Sequence, residues 1–256
     1  MRRRLRRQRY MSKSSDGERD LFGDQPPGPT DRDGDTSDPE AASGSTGKGD
    51  SKAERLFREA RKLEGEGDLH GALARYREVV AIAPAHLRAR NNLGVAHDRL
   101  GAHESALEHF RAALEVDPEN PEVLSNLGAA LGALGRFDQA ERELRRAMRI
   151  DPSRTDIRAN LGILYFRRGL YEKAEHELRW VCEQDPEHGP AHVYRGEALN
   201  RLGRVDEALD TLERASRLQP DNPRIYYVMG VLYDRKHLPA EAAVMYRRSR
   251  EVEGRS

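Results

Sequence analysis

Few residues in this chain stand at spacings that could support chemistry. His188 and His192 are four apart, as a metal pair on a helix would be, but Gly189-Pro190 lies between them. They therefore do not share a helix face in the way a zinc site requires. Cys182, beside Trp180, has no neighbouring base in the sequence and reads as a packing cysteine. Ser45 to Lys48 reads Ser-Thr-Gly-Lys, part of a phosphate loop. It lacks the first glycine at the right spacing, the following Ser or Thr, and a preceding strand. No catalytic residue, metal site or cofactor is expected. The one column with recognition chemistry is asparagine: Asn92, Asn126 and Asn160, each followed by Leu-Gly, with Asn91 beside the first. A primary amide offers both donors and an acceptor, so it can pair with either side of a peptide bond.

That column is one of several. Prolines fall at 84, 118, 152, 186 and 220, each step 34 residues. Alanines hold the same step at 72, 106, 140, 174, 208 and 242. Small residues follow it at Ala60, Gly94, Gly128, Gly162, Gly196 and Gly230, and glycines at 67, 101, 135, 169 and 203. A shared phase in four columns marks tandem supersecondary units. The proline stops a helix. The second glycine column suits a left-handed turn between two helices. The alanine and small-residue columns sit where two antiparallel helices come closest. Bulky residues fall between them: Leu93, Leu127 and Leu161 in the first helix, and Tyr76, Phe110, Leu144, Leu178, Leu212 and Tyr246 in the second. Asn120-Pro121 and Asn222-Pro223 read as an N-cap followed by proline at the first helical position.

The stretch Asn92 to Pro118 carries the whole pattern, and the chain from 53 onward resembles the tetratricopeptide repeat family. The resemblance implies an all-α fold, a right-handed superhelical solenoid of tandem helix-turn-helix units. Units are expected at 53–86, 87–120, 121–154, 155–188, 189–222 and 223–256, the last incomplete. Unit 1 departs from the pattern with Glu59-Ala60 where Leu-Gly is usual, which fits a solvated end. Unit 5 has Arg195 at a usually buried leucine position, expected to snorkel.

The resemblance also implies that first helices line a concave groove for an extended peptide of a protein partner. The asparagines would then form a ladder similar to that of the repeat superhelix of O-linked N-acetylglucosamine transferases, whose transferase domain is not found here. The alternative is that they only link neighbouring units. Phe166, Tyr194 and Tyr227 follow as candidate aromatic anchors. Ile163, Val228 and Val231 accompany them, the two valines fitting an inter-unit core. Arg99, Arg167, Arg201 and Arg235 would flank the groove and attract an acidic partner segment, or else form a solvated face. The two-carboxylate clamp for chaperone C-termini is not expected, because Phe57 and Arg61 stand at its first-repeat positions. An apolar stretch at Ala243 to Tyr246 makes the last unit a candidate for self-association, unless the arginines after it serve as the cap.

Residues 1–52 are rich in Gly, Ser, Asp, Pro and Thr and are expected to be a disordered tail. The tail opens with six arginines, at 2, 3, 4, 6, 7 and 9, and turns acidic between Asp16 and Glu40. The arginines could touch nucleic acid or an anionic membrane weakly, giving a tail-driven adaptor as the second functional reading. Alternatively, translation begins at Met11. Across the chain 44 basic residues balance 44 acidic ones, which argues against whole-chain binding to nucleic acid. A lone cysteine excludes an internal disulfide. No apolar run spans a membrane, and no hydrophobic region follows the basic start, so a cytoplasmic protein is expected.

Overall fold

The computed structural model describes residues 49–254. The expected tail therefore lies, up to residue 48, outside the described residues, together with its arginine cluster and Ser45 to Lys48. The described part is all helix and turn. It runs α1 (Gly49–Gly65), α2 (Leu69–Ile82), α3 (Leu87–Arg99), α4 (His103–Val116), α5 (Pro121–Ala133), α6 (Phe137–Ile150), α7 (Thr155–Arg167), α8 (Tyr171–Gln184), α9 (Gly189–Arg201), α10 (Val205–Leu218), α11 (Pro223–Arg235) and α12 (Pro239–Glu253). One difference from expectation is at the start: α1 begins at Gly49, so residues 49–52 are helical rather than part of the tail.

Each odd-numbered helix packs on the even one that follows it, and each hairpin packs on the next. The closeness within a hairpin is set by the small-residue column. A Cβ placed on Gly94, Gly128, Gly162, Gly196 or Gly230 would fall 2.5–2.7 Å from the ring or Cγ of Phe110, Leu144, Leu178, Leu212 or Tyr246. These partners and the alanine column are the centre of each hairpin: Tyr76, Phe110, Leu144, Leu178 and Leu212 are fully buried, as are Ala72 to Ala208 at their 34-residue steps. Tyr246, in the last described hairpin, is only half-buried.

The connections satisfy the helix ends. Between the helices of each hairpin, an amide bonds back five residues, as in Asp68 to the Leu63 carbonyl and Arg136 to the Leu131 carbonyl, both 2.9 Å. That bond needs a left-handed residue just past the helix. Glycine supplies it at 67, 101, 135, 169 and 203, with φ of 72–83°. In the last hairpin the residue is His237, at φ 59°. A side chain in this region costs about 1–2 kcal/mol, and glycine avoids that at some entropic cost. His237→Gly is therefore expected to stabilise the chain by about 0.5–1 kcal/mol, read as a rise in the denaturant midpoint with unchanged slope. At the hairpin junctions, Asn120 accepts from the Val123 amide at 3.2 Å and Asn222 from the Arg224 amide at 3.2 Å, each followed by proline. His86 and His188 do the same through Nδ1, to the amides of Ala89 and Ala191.

Candidate functional site

The odd helices form one face. From α3 onward each touches the next odd helix directly, as α5 does α7 and α7 does α9. The even helices do not reach comparable contact with one another among the described residues. A stack that is tighter on one side curves toward it, so the odd helices line the inner face. Their first halves carry the asparagines, and their last turns carry the arginines.

The asparagines join neighbouring hairpins. Asn126 Nδ2 donates to Asn91 Oδ1 at 3.0 Å, and Asn160 Nδ2 donates to Ser125 Oγ at 3.0 Å. Asn91 is buried and donates onward to Glu122 at 2.7 Å. Asn92 turns the other way, donating to the Tyr76 hydroxyl of α2 at 3.0 Å. Tyr76 in turn donates to Glu64 at 2.8 Å, and Glu64 meets Arg99 at 3.2 Å. Burial, above all, pushes the Tyr76 hydroxyl far above the ordinary phenol range. Each amide thus spends one N–H on the scaffold. The second N–H of each, and the carbonyls of Asn92, Asn126 and Asn160, are not consumed by these bonds. Beside them the inner face holds a cleft of about 320 Å³, lined by Phe57, Arg61, Asn91, Asn92, Arg99 and Glu122 among others.

The other expected groove residues divide. Phe166 is partly buried and packs edge-on against Tyr194 at 5.4 Å between ring centroids. Tyr194 itself is only 6% exposed and belongs to the core, as does Val228. Tyr227 is 47% exposed and lies 5.8 Å from the Tyr246 ring. Arg99 is paired with Glu64, and Arg235 donates to the Asn200 carbonyl at 2.9 Å. Arg201 is exposed. Arg167 is different from all of these: its Nε and Nη2 are buried and meet no acceptor among the described residues. Arg195 does not run out to solvent as expected. It lies 3.4 Å from the buried carboxylate of Glu175 on α8, which Arg204 also approaches at 3.5 Å. Glu64, Ser125 and Glu122 join this network without having stood out in the sequence, and Tyr76, expected only as a packing residue, takes part through its hydroxyl. Ser125 had a signal, since it stands 34 residues after Asn91 in the column beside the asparagines.

The cysteine and the histidine pair weighed for chemistry are engaged otherwise. Burial pushes the Cys182 thiol up to about 11, which leaves it a poor nucleophile. His192 Nε2 donates to the Pro186 carbonyl, 3.1 Å away, while His188 caps a helix; they hold backbone rather than a metal. His97 and His109 stack at 5.2 Å, and burial, then positive neighbours, lowers the proton affinity of both. No group of three or more His, Cys, Asp or Glu side chains among the described residues is arranged to hold a metal. No described helix is long and apolar enough to cross a membrane.

Comparison with known families settles the fold's membership. Two tetratricopeptide repeat models match, one over residues 57–121, 159–223 and 201–251, the other over 99–153 and 133–180. The chain belongs to the tetratricopeptide repeat family. Among curated proteins none matches. Solved structures that are similar include a tetratricopeptide repeat protein from Parabacteroides merdae, at 18% identity and TM-score 0.65, covering 78% of each chain. MamA of MSR-1 is 25% identical at TM-score 0.54, covering 66% of this chain and 97% of that one. The Cut9–Hcn1 hetero-tetramer of APC/C is 15% identical at TM-score 0.77, over 81% of this chain and 41% of that one. This fold is that of a protein–protein interaction scaffold, and the family is generally non-enzymatic.

Proposed function

We propose that this chain binds an extended segment of a protein partner along its inner face, with the asparagine column contacting the partner's backbone. The observation that carries this is the division of labour in the amides. Asn126 and Asn160 are each fixed by a single bond to the preceding hairpin, which orients the amide and leaves donor and acceptor capacity to spare. A pre-oriented amide loses little entropy on binding. The repeat places such groups one helix apart along the groove. Backbone recognition of this kind tolerates varied sequences, with the exposed ring of Tyr227 left to select an apolar side chain.

The test is a peptide library displayed against the full chain, with affinities of selected peptides measured by fluorescence anisotropy. Asn126→Ala combined with Asn160→Ala should weaken binding by tenfold or more, because each lost amide contact is worth about 1–3 kcal/mol. The same substitutions remove two inter-hairpin bonds, so melting must be followed in parallel and should fall by only a few degrees. Equal affinity for the two proteins would make the asparagines purely structural and sink the proposal.

A further inference from the structure

The second hairpin carries two histidines at positions where the other hairpins carry none. His97 of α3 stands in a column that reads Leu63, Leu131, Tyr165, Leu199 and Tyr233 elsewhere. It is buried against α2 of the first hairpin, with its Nε2 3.5 Å from Arg77 Nη2. His109 of α4 stacks on it, with 5.2 Å between ring centroids and 18° between planes.

The contact with Arg77 selects a neutral His97. A guanidinium only donates hydrogen bonds, so Nε2 must keep its lone pair bare. A proton there would set N–H against N–H and place two cations side by side. A proton on His109 would stack a further cation on the first ring. The charges around the pair are mostly positive: Arg77 on α2 and Arg90 on α3, against Glu108 on α4. Asp98 on α3 is held by His103 at 2.7 Å, and Glu122, the one charged residue of α5, by Asn91. Burial, then the positive neighbours, holds both imidazoles below their ordinary value of 6.5.

The chain contains its own control. Two units on, Arg145 takes the place of Arg77 and Tyr165 that of His97, and Arg145 Nη2 donates to the Tyr165 hydroxyl at 3.0 Å. A phenol accepts that bond without titrating between about pH 5 and about pH 8. The same contact between hairpins is therefore insensitive to pH at one junction and sensitive to it at another. We propose that His97 and His109 make the junction of the first two hairpins an acid-sensitive switch, closed while both rings are neutral and opened when they take up protons. An opened junction binds protons near the ordinary imidazole value, about 6.5, and the closed one only below it. The junction's stability is thus complete above about pH 6.5 and is lost as the pH falls below that. The switch lies behind the inner face. The bonds from Asn92 to Tyr76 and from Arg99 to Glu64 join the same two hairpins at the 320 Å³ cleft, so opening the junction takes that end of the groove apart. The effect on partner binding rests on the groove reading above; the switch itself does not.

The experiment compares the full chain with His97→Tyr and with His109→Thr, the residue types found at 165 and 211. Melts at about pH 8 within a few degrees of the parent establish that both variants fold. The two imidazole signals of the parent, each assigned by its loss in one variant, should titrate below about 6.5. Between about pH 8 and about pH 5 the parent should lose several degrees more of melting temperature than either variant. At the lower pH, amide exchange in α2 and α3 should be several-fold faster in the parent than in His97→Tyr, with α9 to α12 alike in the two. Reading both proteins at one pH cancels the intrinsic exchange rate. Equal pH dependence in parent and variants overturns the proposal, as do rings that titrate at or above about 6.5, or faster exchange spread evenly along the chain. A groove-binding library peptide should weaken on acidification in the parent and hold in His97→Tyr. A peptide held equally at both pH values while α2 and α3 open would refute the groove reading at this end and leave the switch standing.

Discussion

Leu178→Ala is expected to lower stability by about 3 kcal/mol, Gly162→Ala by about 1–2 kcal/mol, and the double variant by clearly less than their sum. The first value follows from emptying a fully buried site at the centre of the fourth hairpin. The second follows from a steric conflict: a Cβ on Gly162 would fall 2.7 Å from Leu178 Cγ and 2.9 Å from Cδ2. Overpacking of that kind costs about 1–3 kcal/mol, partly offset by the better helix propensity of alanine. In the double variant the new methyl enters the space that Leu178 vacates, so the two changes compensate, as contacting residues do. For a folded region of this size, about 3 kcal/mol corresponds to a melting shift of roughly 6–12 °C. Because each hairpin touches only its neighbours, hydrogen exchange should quicken most in α7 and α8 and least in α1 and α12. Additive losses would mean that the spacing of the hairpin is not set by this contact. A natural comparison already exists in the first hairpin, where Ala60 occupies the small-residue position against Tyr76 and both are fully buried.

That comparison also shows how far the sequence could be read. Columns that repeat every 34 residues report constraints imposed by a residue's own hairpin: the left-handed turn, the close approach at Gly162, the helix stop before Pro152. Such constraints restrict residue type, so they are visible as letters. The start of α1 was less legible. Gly49 and Asp50 are poor helix formers, yet the helix begins there, ahead of the first apolar position at Ala53. The left-handed His237 was hidden for a different reason. The column's glycine is simply missing there, and composition does not say whether the turn persists.

The inner face was legible as a surface and illegible as a network. Asn126 reaches Asn91, and Asn160 reaches Ser125, at a separation of 35 residues, one more than the repeat. The extra residue comes from the offset between stacked helices, which no single column displays. Tyr194 shares the alignment of the asparagines but sits inside the core, because its ring packs against Phe166 rather than projecting into the groove. Among the arginines the decisive feature is the partner. Glu64 neutralises Arg99, and the Asn200 carbonyl holds Arg235, while Arg167 has an alanine and glycines opposite it on α5. Charge columns give no warning of this, since the acceptor comes from another unit.

Arg195→Leu is expected to cost about 3 kcal/mol alone, and to recover most or all of that when combined with Glu175→Leu. Position 195 is leucine at the equivalent places 93, 127 and 161; position 175 is leucine at 73, 107 and 209 and glutamate again at 141. Across the junction of the fourth and fifth hairpins the chain has put an ion pair where the first two junctions place leucines. Glu175 is 5% exposed, and Arg195 Nε stands 3.4 Å from its carboxylate. Removing the arginine leaves that carboxylate in a poorly solvated place with only Arg204, 3.5 Å away and largely in solvent, to balance it. Breaking such a pair from one side is strongly destabilising, whereas replacing both members by apolar residues of similar volume is often neutral or better. The measurement is a double-mutant cycle from urea melts, and a coupling energy near zero would show that the pair contributes nothing specific. Recovery in the double variant would mean that the pair is not there for stability. Its remaining effect would be local: it ties the carboxylate on α8 to the guanidinium on α9, 3.4 Å away, at the junction of the fourth and fifth hairpins. The order of the hairpins fixes the order of Asn126, Asn160, Arg167 and Tyr227 along the inner face. That order is set by the chain itself, so the charge pair bears on how tightly the fourth and fifth hairpins meet and not on their sequence.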